Sequence, residues 1–297
     1  LSKVNKPYGF RPTSVGLFFC RSCKAFMKRN KACIFCGKTG NLTKEHLWPK
    51  WLDGHLLVSR DPAYIHRTFA SERLEPFKLV RSQERQGPVT TKRLRVVCAS
   101  CNNGWMSRLE SSVKLPLLGL IRRDNLALNS QEALQTARWI ALKTMVAEHD
   151  MSEAVLTLPE DRLALCEHGA IPTYFRIWIA SHGLSSLTWY FRDSKTISVG
   201  LDGVIDPPVP PSVDRNIQLT AFAIGRLLVV CAAARVAALD PRLIDPEVGM
   251  VNIWPQSGCV DLAGLQPMNK EQVDRTLLAL RRLTSGGRVS YGGPIPR

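Results

Sequence analysis

The sequence predicts an α+β fold, on three observations. Two C-x-x-C pairs, Cys33-Ile-Phe-Cys36 and Cys98-Ala-Ser-Cys101, bracket a stretch of short strand-like runs. After Leu115-Pro116, helical spacing gives way to further strand-like runs and then to a last helix. Charge is divided unevenly: residues 1–125 hold 24 Lys and Arg against 8 Asp and Glu, and residues 126–297 hold 16 against 17. The expected layout is a basic leader over residues 1–30, a cysteine-built module over 31–125 and a mixed α+β domain over 126–297. A chain of 297 residues is long enough for two domains at about 100–200 residues each.

The leader carries an extra pair, Cys20-Arg-Ser-Cys23, which can add ligands to a second metal or stand in for a damaged knuckle. From Cys33 a knuckle runs through the turn-rich Gly37-Lys-Thr-Gly-Asn41 into a short strand ending near Glu45 and His46, and Pro49 opens a turn with Trp51 and Leu52 on its buried side. Strands are expected at Ala63–Phe69, Phe77–Val80 and Val89–Val97, the last setting Lys92 or Arg93, and Arg95, toward solvent or phosphate. A helix should begin at Asn102 and reach Glu110. Asn129-Ser-Gln-Glu132 has the form of a capping box for an apolar helix carrying Leu134, Ala137, Ala141 and Met145.

Glu160–His168 reads as a helix stopped by Gly169. Strands follow over Tyr174–Ile179, Leu187–Phe191, Thr196–Val199, Leu219–Ile224 and Leu227–Cys231, with Gly225-Arg226 as a turn. The prolines of Pro207–Pro211 make a loop. Asn269-x-x-Gln272 caps a last helix, and Ser285–Gly287 with Gly292-Gly-Pro294 suggests a loose tail. Leu219–Ala234 is interrupted by Gly225-Arg226 and falls short of the ~20 apolar residues of a spanning helix, so no membrane association is expected.

Nine cysteines, mostly in close pairs, argue for metal ligation in a reducing compartment, hence a cytoplasmic protein. Two C-x-x-C knuckles closing on one another place four thiolates around a structural zinc, with Cys33, Cys36, Cys98 and Cys101 as ligands. Cys166, Cys231 and Cys259 read as buried small hydrophobes. Beside the knuckles stand a carboxylate, an imidazole and amides: Glu45, His46, Asn102 and Asn103. Such groups can hold a hard divalent cation and activate water. The excess of cations on the same half points to a polyanion, DNA or alternatively RNA, with Lys44, Lys50, Lys92, Arg93 and Arg95 as candidate contacts.

These residues carry a family resemblance. Cys33-x2-Cys36, Leu42-Thr43-x-Glu45-His46-x2-Pro49-Lys50-Trp51-Leu52 and Cys98-x2-Cys101-Asn102-Asn103-Gly104-Trp105-Met106 resemble the zinc-containing branch of the HNH endonucleases, bacterial and phage ββα-metal nuclease modules. The resemblance covers roughly residues 30–112. It implies a metal-dependent DNA endonuclease: His46 as general base, a catalytic Mg²⁺ or other divalent ion on Glu45 and Asn102, and Asn103 as the competing ligand. One departure stands out. The family's middle asparagine positions the loop that holds the base, yet Lys92–Val97 contains neither Asn nor Gln, and the nearest amides are Gln83 and Gln86. The alternative is a zinc-stabilised nucleic-acid-binding protein without catalysis. His55 and His66 are further candidates near the site, though lone histidines are ordinarily surface or core residues. Trp51 and Trp105 are expected to pack the small module rather than stack on bases, and Glu110 to pair with a cation.

Overall fold

A computed structural model describes residues 32–56, 63–70, 78–150, 155–184, 188–195, 198–200, 203–205, 216–235, 249–255, 258–283 and 288–294. The leader with Cys20 and Cys23, the prolines at 207–211 and the Ser285–Gly287 stretch lie outside the described residues.

The strands are β1 (Leu42–His46), β2 (Ala63–Ala70), β3 (Lys78–Gln86), β4 (Arg93–Cys98), β5 (Ala127–Leu128), β6 (Phe175–Ser181) and β7 (Trp189–Lys195). They continue with β8 (Ser198–Gly200), β9 (Gly203–Ile205), β10 (Ile217–Ile224), β11 (Leu227–Ala234), β12 (Met250–Trp254), β13 (Val260–Asp261) and β14 (Arg288–Pro294). The helices are a single turn α1 (Ala99–Cys101), then α2 (Ser107–Arg122), α3 (Ser130–Glu148), α4 (Pro159–His168) and α5 (Lys270–Leu283). The class is α+β with antiparallel sheets, as the sequence predicts.

Among the described residues the main sheet has eight strands in the order β12-β6-β11-β10-β7-β14-β2-β3. Its interior holds β10–β11, an antiparallel hairpin in which Ile224 faces Leu227 across Gly225-Arg226. Gly225 has φ +59, and a Cβ there would lie 2.7 Å from Ile121 of α2, so both the turn and the close approach require glycine. Every residue of β10 is buried, which fits a strand covered on both faces. No helix among the described residues is long and apolar enough to cross a membrane.

Three readings need correction here. The Gly292-Gly-Pro294 stretch belongs to β14, which pairs with β7 on one side and β2 on the other. Pro294, which has no N–H to donate, sits at the end of that strand, where it pairs with Tyr64 of β2 but lies past the last β7 pair, Gly292 with Tyr190. The strand expected over Val89–Val97 starts at Arg93, because Val89–Thr91 turns as a 3-10 segment after Pro88. The helix expected over Asn102–Glu110 runs to Arg122 through Pro116.

Helix α3 is the middle layer. Its capping box forms in both directions: Glu132 N–H donates to Asn129 Oδ1 and Asn129 N–H donates to Glu132 Oε2, each at 2.9 Å. Past its first turn it is buried on nearly every face, because it packs against α2 and β4 as well as β11 and β12. Trp48, beyond β1, and Trp139 of α3 both meet the ring of Phe222 on β10 edge-on, with centroids 5.0 and 6.2 Å away. Burying side chains of this size stabilises the fold by about 1.5–3 kcal/mol each. One core therefore runs from Cys33 to Leu262, and residues 31–297 cluster as one compact unit. The insert between the knuckles joins the same body, since β2 and β3 extend the main sheet.

Candidate metal centre and histidine site

A two-stranded sheet pairs β1 antiparallel with β4, a hairpin whose connection holds β2 and β3, and it aligns the two cysteine pairs. Leu42 lies opposite Cys98, Ile34 N–H donates to Val96 O at 3.0 Å, and Gly37, at φ +69, closes the first knuckle by donating to Cys33 O at 3.0 Å. Arg162 of α4 braces that knuckle, its Nε donating to Ile34 O at 2.8 Å. The Sγ atoms of Cys33, Cys36, Cys98 and Cys101 all lie within 4.8 Å of one another, with Cys36 and Cys98 at 3.6 Å. Zn–S bonds of about 2.3 Å in a tetrahedron need sulfurs ~3.8 Å apart, so this donor set fits a zinc ion. Burial raises the Cys98 thiol, but bonds from Ser100, the Cys101 N–H and neighbouring sulfurs outweigh it and hold it at about 6. Burial together with Cys36 and Cys98 pushes Cys101 far the other way. Four thiolates crowded this closely need a cation between them. Of the other described cysteines only Cys231 is buried; Cys166 is partly covered and Cys259 exposed, which corrects the expectation for those two.

After Cys101 the chain makes a wide π-type turn over Asn102–Met106, with Gly104 at φ −94, ψ −109, before α2 begins. Asn102 is half-buried and its Nδ2 donates to Thr43 Oγ1 at 3.1 Å, while the Thr43 hydroxyl donates to Val97 O at 3.1 Å. Asn103 is exposed.

Two residues along β1, Glu45 is 4 % exposed, and its Oε1 accepts from Lys143 Nζ of α3 at 2.7 Å. The same ammonium lies 2.7 Å from Glu110 Oε1 and donates to His46 O at 3.1 Å. Glu110 therefore pairs with a cation, as its position suggested. Lys143 was not singled out by sequence reasoning, although a lone lysine inside Trp139-Ile-Ala-Leu-Lys-Thr-Met-Val146 has to find buried partners.

His46 closes β1 opposite Arg93 and is half-buried. Burial lowers its basicity below the usual imidazole value; Arg93 and Lys143 lower it further and Glu45 opposes them. Two contacts hold the main chain at His46: Lys143 on His46 O, and Leu47 N–H on Lys92 O at 2.9 Å. Lys44, Lys50, Arg93 and Arg95 are exposed, and Arg95 Nη1 also donates to Leu42 O at 2.9 Å. Lys92 is not presented to solvent. It is 5 % exposed and its ammonium meets Asp150 Oδ2 at 2.5 Å and the Tyr190 hydroxyl. Asp150 also accepts from Tyr190 at 2.7 Å and meets His66 Nε2 at 2.9 Å, so His66 is a core residue. His55 Nδ1 lies 2.6 Å from Arg122 Nη2. Trp105 meets Phe35 edge-on at 5.1 Å and Trp51 lies under Lys114, both inside the module.

The implied catalytic ion meets a set that does not fit it here, because Glu45 Oε1, its carboxylate ligand, is held by an ammonium. Asn102 meets the Thr43 hydroxyl through Nδ2, not through the amide oxygen a metal would take, and among the described residues the four cysteines are the one group of three or more His, Cys, Asp and Glu side chains able to hold a metal. No family model, curated protein or solved structure matches this chain.

Proposed function

We propose that the chain is a nuclease that hydrolyses phosphodiester bonds of DNA, with RNA as the alternative substrate, and that His46 is its general base. The observation that carries this reading is the exposed face of the hairpin. Lys44 lies opposite Arg95 and His46 opposite Arg93, so three cations share one strand face with the imidazole. Like charges facing one another across a pair of strands destabilise it, and none of Lys44, Arg93 and Arg95 is in a salt bridge with a carboxylate among the described residues. A phosphate backbone laid across this face would relieve the repulsion. The phosphates would be bound by Arg93, Arg95 and Lys44. His46, neutral at pH 7, would take a proton from the attacking water as the new phosphorus–oxygen bond forms and the phosphorus–O3′ bond breaks, the departing oxygen taking its proton from solvent. The four-cysteine zinc would fix the hairpin against α2 and keep the imidazole in place.

The second reading, a zinc-stabilised nucleic-acid-binding protein without catalysis, is favoured by the engagement of Glu45 with Lys143. Nicking of supercoiled plasmid by zinc-loaded protein, with Mg²⁺ or Mn²⁺ and with RNA in parallel, separates the two. The nuclease reading expects cutting by the parent and, for His46→Ala, intact binding with cutting slowed about 10²–10⁴-fold. Binding with no cutting by the parent under any of these conditions leaves the second reading.

A further inference from the structure

Glu45 immediately precedes the base, and its carboxylate is directed into the protein. There it shares one ammonium with Glu110 of α2 and with the carbonyl of His46 itself. Lys143 is 1 % exposed, and its three donors meet three oxygens at 2.7, 2.7 and 3.1 Å, so its hydrogen-bonding capacity is filled. Two carboxylates and a main-chain carbonyl are also what a hard divalent ion would select. The spacing, however, suits N–H donors, since Mg²⁺ draws oxygens to about 2.0–2.1 Å. Burial alone would neutralise Lys143, but Glu45 and Glu110 outweigh it and keep the amine charged.

We propose that the Lys143 ammonium is the resident cation of the His46 site: a positioning residue that holds the Glu45 carboxylate and the His46 main chain, and thereby withholds Glu45 from divalent metal. The proposal rests on the nuclease reading only in naming His46 a base; the occupancy of Glu45 is independent of it. It also accounts for why the hairpin is built against α3. Removing the lysine side chain leaves two acidic groups and a carbonyl facing one space, which is a site for a hard cation.

Mn²⁺ titration of zinc-loaded full-length protein, read by the electron paramagnetic resonance of free Mn²⁺, tests this. The parent and Glu45→Gln should take up Mn²⁺ alike. Lys143→Met should gain one site at least ten-fold tighter than anything in the parent, lost again when Glu45→Gln is added. Lys143→Arg, which keeps the charge, should gain none. A parent site weakened ten-fold or more by Glu45→Gln overturns the proposal, as does a folded Lys143→Met without a new site. If Lys143→Met does not fold, the parent and Glu45→Gln pair decides alone. Failure of the parent to nick nucleic acid would sink the nuclease reading and leave these titrations unchanged.

Discussion

The two faces of the β1–β4 hairpin and its flanks treat positive charge in opposite ways. On the outer face Lys44, Arg93 and Arg95 are exposed and stand close without carboxylate partners among the described residues. On the inner side Lys143 and Lys92 are buried, each against a carboxylate: Glu45 and Glu110 for one, Asp150 for the other. Of these two only Lys92 belongs to the positive excess of residues 1–125, so that excess overstates by one cation what a polyanion can reach. Lysines of the inner side belong to the fold, and cations of the outer face are available for binding.

The sharpest way to break this comparison is to remove the element that holds both faces together. Cys33→Ser or Cys98→Ser should abolish the one zinc expected per chain and lower stability and solubility together, because metal-binding energy at such sites is folding energy. Cys20→Ser should do much less. Metal analysis with thermal melts checks this, and equal damage from Cys20→Ser would reassign the ligands.

Next in size are the buried pairs. Asp150→Ala leaves Lys92 and His66 without their shared carboxylate, and removing one partner of a buried ion pair costs about 3–5 kcal/mol. Asp150 is held well below the usual carboxylate range: burial opposes ionisation, but His66 and Lys92 outweigh it. Denaturant unfolding of this variant should show the loss at pH 7 with zinc still bound. A change within about 0.5 kcal/mol would place the pair among ordinary surface contacts.

Smaller effects on stability, and larger ones on binding, are expected outside. Arg93→Ala and Arg95→Ala should each leave stability within about 0.5 kcal/mol while reducing the slope of log K against log salt by about 0.9 per lost phosphate contact. Arg95 has the additional bond to Leu42 O, so of the two it should disturb the hairpin more. Fluorescence anisotropy with duplex DNA over a range of salt concentrations measures both. An unchanged slope would remove these residues from the contact set. The substitutions are preferable to a fragment ending near residue 125, since that cut would strip α3 from α2, against which it packs.

What could be read from the sequence was local. Asn129-x-x-Glu132 and Asn269-x-x-Gln272 announce their helices through bonds made three residues apart. Gly225-Arg226 announces a turn between two apolar runs, and the cysteine spacing announces a four-thiol cluster. What was hidden depends on partners remote in the chain. The sequence around Gly292-Gly-Pro294 looks unfit for a strand until β2 and β7 supply its neighbours. The strand expected over Phe77–Val80 continues through Arg81–Gln86, which is charged enough to resemble a turn yet lies on an edge strand, where charges guard against further pairing. Alternation along Lys92–Val97 gives two choices of outward face, and only Asp150 and Tyr190 decide that Lys92 turns inward. The engagement of Glu45 with Lys143 joins positions 98 residues apart, and no local pattern encodes it.

The rate of nicking as a function of pH, by zinc-loaded parent and His46→Ala protein, bears most directly on the claim that His46 is a base. Burial and Arg93 lower the basicity of His46, so in the folded protein it sheds its proton below the ordinary value of about 6.5. A base works only when deprotonated, so the parent rate should climb with pH to a plateau reached before neutrality, with the midpoint below about 6.5. His46→Ala should keep the zinc and the DNA affinity, nick about 10²–10⁴-fold more slowly and lose that rising limb. A variant that nicks as fast as the parent with the same pH profile would contradict the account.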